Sequence, residues 1–164
     1  MKVLVSACLL GENCKYNGGN NFSPAVAEYL RGKDVLPVCP ELLAGLGCPR
    51  VPMEIVDGVL VTRDCRNVDA VMHEAVTLAL ERLRGEEIGC AILQSRSPTC
   101  GVNQIYDGSF SGRLIAGMGI FARALHEAGY RVIDAEDIRN HRLIDGVHIG
   151  LFAQALARRI EALS

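Results

Sequence analysis

Three short runs rich in branched apolar residues, "KVLVSACL" (2–9), "DVLPVCPE" (34–41) and "IGCAILQS" (88–95), constrain the fold more than anything else in the chain. A β-branched apolar run of this length suits a strand buried on both faces. In the second run, Pro37 and Pro40 fix the strand's end and the turn after it. Elsewhere the apolar residues switch to three- and four-residue steps. "SPAVAEYLRG" predicts a short helix with Ser23 as N-cap, Pro24 at the first helical position and Gly32 at its end. Val68, Val71, Met72, Ala75, Val76, Ala79, Leu80 and Leu83 predict a longer helix that starts near Asn67 and stops at Gly85. "GIFARALHEAG" reads as another helix, "YRVIDA" as a further strand and "VLVTRDC" (59–65) as a short strand. "NQIYDGSFSGRLI" reads as a hairpin turning on Asp107-Gly108. Strands alternating with helices imply βαβ units. The expected fold class is therefore α/β, a largely parallel Rossmann-like sheet flanked by helices, with a small β-hairpin.

At 164 residues, without an internal repeat, linker or low-complexity tract, the chain is expected to form one domain over 1–164. An amphipathic closing helix is expected over about 146–163. A net charge of −2 gives no basis for a sequence-independent grip on nucleic acid, which is an unlikely partner class on this ground. The apolar runs are too short to span a bilayer. Only Lys2 precedes the first of them, which reads as a strand rather than a signal peptide, so a cytoplasmic location is expected.

Seven cysteines, at 8, 14, 39, 48, 65, 90 and 100, are many for such a chain. A secreted disulfide framework favours an even number and a signal peptide. With no CxxC pair, a zinc ribbon or thioredoxin-type motif is excluded. Cys90, inside "IGCAIL", reads as a small core hydrophobe, and Cys65 as incidental. Cys8, Cys39 and Cys100 differ, because each lies at or just past the C-terminal end of an expected strand. Ligands of open parallel sheets bind outside those ends, so three thiols distant in sequence are expected to meet on one edge. Packing as hydrophobes and sharing a metal centre both remain open for them. Soft thiolates without a paired histidine suit zinc or an iron–sulfur cluster, and three ligands leave one coordination position open.

Other candidates surround these thiols. Glu41, two residues after Cys39, is either a helix N-terminal charge or a general acid–base. Ser95 and Ser97 either cap a turn or hold a polar substrate. Lys15, Tyr16 and Asn17, followed by two glycines, form a loop close to Cys8, and no nucleotide fingerprint accompanies it. His73 and His126 fall within helices, and His141 and His148 in the tail, without ligand-like spacing.

Four motifs, "VSACLLGENCKYNGG", "VCPELLAGLGCPR", "SRSPTCG" and "IYDGSFSG", occur in this order over residues 2–138. Together they resemble the domain-of-unknown-function family that includes the bacterial thiouracil desulfurases. The tail after Ile138 is not part of that pattern. The resemblance implies a [4Fe-4S] cluster held by Cys8, Cys39 and Cys100 with its fourth iron open; Cys14 and Cys48 are less favoured as ligands. It implies Glu41 as the acid–base group and Ser97 as a second catalytic group, with Ser95 the weaker candidate; Ser95 and, from the loop beside Cys8, Lys15 and Tyr16 are expected as substrate contacts. The implied reaction is a non-redox removal of sulfur from thiouracil or a related thiolated pyrimidine, the sulfur being captured by the open iron. The chain departs from the pattern at Thr99, where relatives commonly have Ser, and at Gln94, where they commonly have Lys. A different reading is a metal- or cluster-binding module that senses redox state and catalyses nothing. A third is a metal-free metabolite pocket with structural thiols.

Overall fold

A computed structural model of the chain describes residues 1–140, 143–144 and 147–148. Its elements run β1 (Lys2–Ser6), a 3-10 turn (Ala7–Leu10), α1 (Pro24–Tyr29), β2 (Asp34–Val38), α2 (Pro40–Leu43), β3 (Met53–Val56) and β4 (Val59–Thr62). There follow α3 (Asp69–Arg82), β5 (Ile88–Leu93), β6 (Gln104–Tyr106), β7 (Leu114–Ala116), α4 (Ile120–Glu127), β8 (Val132–Asp134) and α5 (Ala135–Arg139). The last are β9 (Leu143–Ile144) and β10 (Val147–His148). The main sheet has four strands in the order β2-β1-β5-β8, and all its pairings are parallel.

The strands alternate as the pleat requires. Val3, Val5, Ile92 and Ile133 pack on one face against Val26, Leu30 and Ile138 from α1, its C-cap and α5. Leu4, Ala91 and Leu93 pack on the other against Val76 and Ala79 of α3 and Phe121 and Leu125 of α4. Both faces are covered, which is why these strands are apolar throughout. Pro37 sits in β2 opposite Val5, on the edge strand, where a missing N–H costs no ladder bond. A smaller nucleus of Met53, Leu60, Val68 and Met72 ties the antiparallel β3–β4 pair to α3.

The α/β architecture and its parallel sheet agree with the sequence reading. Ser23 caps α1 by accepting from Val26 N at 3.3 Å, and Gly32 follows at φ 73°. The hairpin is present, but β6 and β7 are joined by a seven-residue loop rather than a tight turn on Asp107-Gly108, with Asp107 N donating to Arg113 O at 2.9 Å. Glu54 of β3 draws that loop inward by accepting from Gly108 N and Phe110 N at 3.0 and 3.2 Å. The strand β3 and the short helices α2 and α5 escaped the sequence reading, being four or five residues long. Within the span expected as a closing helix, Val147–His148 instead pair with Leu143–Ile144. The rest of that span lies outside the described residues. Among the described residues, no helix is long and apolar enough to cross a membrane.

The loop from Gln94 to Asn103, after β5, is fixed from two sides. The first N–H groups of α4 have no partner within their own helix. Ile120 N donates to Pro98 O at 3.0 Å, and Phe121 N and Ala122 N to Thr99 O at 2.9 and 3.2 Å. From the other side, the buried Asp134 carboxylate accepts from Ser95 Oγ and from Val102 N, Asn103 N and Glu136 N at 3.3, 3.4 and 2.9 Å. The contact with α4 is so close that a Cβ on Gly119 would stand 2.4 Å from Thr99 C and 2.8 Å from Cys100 N. Gly119→Ala is therefore expected to push loop and helix apart, lowering stability by about 1–3 kcal/mol in urea denaturation. Unchanged stability would show that the contact is loose.

Candidate functional site

Cys8 lies in the 3-10 turn that follows β1, Cys39 is the N-cap residue of α2 just after β2, and Cys100 sits in the loop after β5. These are three adjacent parallel strands, so the three thiols leave the sheet at the same edge. All three line a cavity of about 530 Å³, as does Cys14. The cavity lies at the carboxyl end of the sheet, where the chain passes to either side of β1 and β5. All seven cysteines are free; Cys90 is buried in the core and Cys65 is exposed.

Each thiol has an identifiable environment. Asn21 Nδ2 donates to Cys8 Sγ at 3.5 Å. Burial pushes the Cys8 thiol up to about 11, although the Asn21 contact opposes the rise. Cys39 Sγ donates to Glu41 Oε2 at 3.5 Å; burial and then the carboxylate raise its pKa strongly. Cys100 is fully enclosed, and burial, followed by Glu41, holds it well above the ordinary thiol value, while a contact with Ser6 works the other way. Glu41 itself is 8% exposed and thus stands as a buried carboxylate beside the thiols.

The two less favoured cysteines separate. Cys14 is buried beside Cys39, and burial raises its pKa too. Cys48 is outside the cavity lining, and its thiol contacts the carbonyls of Asn13 and Lys15, both at 3.0 Å. That contact shapes the loop carrying Lys15 and Tyr16, which do line the cavity. Lys15 Nζ lies 5.7 Å from the Tyr16 ring centroid. Ser97 Oγ accepts from Thr99 N and Cys100 N at 3.1 and 3.0 Å, setting the turn that presents Cys100. Ser95 also lines the cavity, but its hydroxyl donates to Asp134 and accepts from Glu136 N at 3.2 Å. Its proton is thus committed to Asp134, and the side chain braces the loop from within the cavity lining.

Several lining residues were not singled out from the sequence. Asn21 and Ser6 contact thiols, and Arg50, Arg63 and Arg96 contribute cationic side chains to the cavity wall. Arg96 pairs with Glu136 at 2.9 Å, and Arg63 lies 5.9 Å from the Phe110 ring. The chain's weakly acidic total hides this local positive character. Positive φ values at Arg96 and Phe110, 66° and 56°, mark the backbone on both sides of the cavity as constrained. Sequence periodicity carries no trace of these, since all lie in loops or at strand ends.

Among the described residues, no three His, Cys, Asp or Glu side chains converge closely enough to bite one metal ion. A single zinc ion needs such convergence, with Zn–S near about 2.3 Å. In an iron–sulfur cluster each thiolate takes a different iron, so three thiols around a roomy cavity fit it better. The donors at Asn21 and Ser6 also suit thiolate sulfur, which gains from hydrogen bonds.

Residues 3–137 match the family model described as 2-thiouracil desulfurase. The chain is 35% identical over 148 residues to the uncharacterised protein YbbK of Bacillus subtilis (strain 168), covering 84% of this chain and 98% of YbbK. It is similar to a solved structure described as the [4Fe-4S]-dependent thiouracil desulfidase TudS, with 33% identity and a TM-score of 0.78, over 85% of this chain and 93% of that one. A match over nearly the whole main sheet, including all three strand-end thiols, shows that the chain belongs to the 2-thiouracil desulfurase family.

Proposed function

We propose that this protein is a [4Fe-4S]-dependent enzyme that removes sulfur from thiouracil or a closely related thiolated pyrimidine. The observation that carries the reading is the meeting of Cys8, Cys39 and Cys100 at three strand ends beside the buried carboxylate of Glu41. Membership of the family and likeness to TudS support it. The three thiols would hold the cluster, and when bound it supplies a Lewis-acidic iron for a thiocarbonyl sulfur.

The remaining chemistry belongs to the chain. The net reaction replaces C=S by C=O, consuming one water and releasing one hydrogen sulfide, with no change of oxidation state. Glu41 takes a proton from the attacking water and returns one to the departing sulfur. Its burial keeps bulk water from competing for those protons. Ser97 accepts two backbone N–H groups, which leaves its own proton to donate toward a ligand in the cavity. Lys15 and Tyr16 stand in the wall formed by the loop after Cys8, where they border the base. Ser95 holds the Cys100 loop to Asp134 and acts on the substrate only through that loop. Seven free thiols, three of them reserved for a cluster, fit a reducing compartment such as the cytoplasm.

After anaerobic reconstitution, iron and sulfide counts should approach four of each per chain in the wild type. Single Ser replacements of Cys8, Cys39 or Cys100 should lower them sharply, and Cys90→Ser should not. Equal loss in Cys14→Ser would overturn the three-ligand assignment. Glu41→Gln should retain the cluster absorption and lose at least about a hundredfold in sulfide release from 2- or 4-thiouracil, the usual scale for a general acid–base. Full turnover in that variant would remove Glu41 from the mechanism.

The raised thiols also set a pH dependence. Ligation requires thiolates and so releases protons, which means that cluster loading should become more complete as pH rises from 7 toward 9. In the cluster-free protein the sign is opposite. A thiol whose folded pKa is about 11, against an ordinary 9.0, binds more protons folded than unfolded over that interval. Stability should fall as pH rises from 9.0 to about 11, and the fall should be smaller in Cys8→Ser. Urea titrations across that range measure it; a flat profile would contradict the assigned burial.

A further inference from the structure

Gln94 follows Leu93 directly at the carboxyl end of β5 and lines the cavity. Its backbone N–H is fixed by Ser6 Oγ at 3.0 Å, so the residue is held between the ends of β1 and β5. Its side chain is not similarly occupied. Its Oε1 is buried without a hydrogen-bond partner among the described residues. Burying an unpaired amide oxygen costs free energy that the fold does not recover locally. The other buried orphan among the described residues, Thr99 Oγ1, lies in a fully enclosed residue away from the cavity lining, where no ligand reaches it. Among the described residues, Gln94 alone combines a buried oxygen without a partner with a place in the cavity lining.

We propose that Gln94 is a substrate-binding and specificity-determining residue whose carboxamide pairs with the N3–H and adjacent carbonyl of the thiolated pyrimidine. The inference rests on the reading of the cavity as a thiolated-base site and adds how the base is held there. A carboxamide offers one acceptor and a donor side by side. Thiouracil offers the complementary pair. N3 lies between C2 and C4, so whichever carbon carries sulfur, N3–H remains next to the carbonyl on the other. One residue therefore serves both isomers, and pairing with it leaves the thiocarbonyl carbon on the far side of N3. The group is neutral, so it binds the edge without fixing a charge beside the thiols.

Uracil and 3-methyluracil are suitable probes because neither reacts. Their affinities are measured calorimetrically on the anaerobically reconstituted wild type and on Gln94→Leu, a nearly isosteric replacement, with iron counts and cluster absorption confirming equal loading. The wild type should bind uracil at least about tenfold more tightly than 3-methyluracil, the scale of leaving a buried polar group unpaired. In Gln94→Leu, uracil should weaken by at least about tenfold and the methyl penalty should largely disappear. Undiminished uracil binding in Gln94→Leu, or the same methyl penalty in both proteins, would overturn the role of Gln94 alone. A loaded wild type that binds neither base would overturn it together with the proposed substrate class.

Discussion

The parallel pairing of β1 between β2 and β5 is the constraint on which the rest depends. Val5 lies opposite Pro37 on one side and Ile92 on the other, so the three strands finish at nearly the same level. A cysteine just beyond each end then opens onto a common space, although the thiols are 31 and 61 residues apart in sequence. The register is fixed because both sheet faces are buried, and a one-residue slip would turn core residues such as Leu4 and Val5 to the wrong side. The core thus positions the site, and the loops only have to finish it.

Finishing falls to polar groups that are buried and satisfied. Asp134 gathers four donors, three of them on the Cys100 loop, and the exposed N–H groups of α4 take the carbonyls of Pro98 and Thr99. Glu54 does the same for the hairpin loop that brings Phe110 into the cavity lining. Such networks are costly when half made and rigid when complete. They explain how a cavity lined by loop residues keeps a defined shape.

The sequence exposed the framework and only part of this finish. The four strands of the main sheet, the helices α1, α3 and α4, and the placing of Cys8, Cys39 and Cys100 at strand ends follow from periodicity and turn residues over windows of six residues or more. The short helices α2 and α5 offer less than two turns, too few to show a period. Asp134 was invisible as a brace because its partners at 95, 102 and 103 lie more than thirty residues away. Turn chemistry alone gives Ser95 and Ser97 of "SRSPTCG" the same alternatives; the structure ties the first to Asp134 and has the second set the Cys100 turn. The cationic wall formed by Arg50, Arg63 and Arg96 likewise comes from three separate loops and leaves no mark on the net charge.

The central claim is that three strand-end thiols hold one cluster whose remaining iron is open to a thiocarbonyl sulfur. Mössbauer spectroscopy of protein reconstituted with isotopically enriched iron tests it most directly. The account predicts one iron of the cluster distinct from the other three, with its signal shifting when thiouracil is added and the others nearly unmoved. Four equivalent irons that do not respond to thiouracil would contradict it.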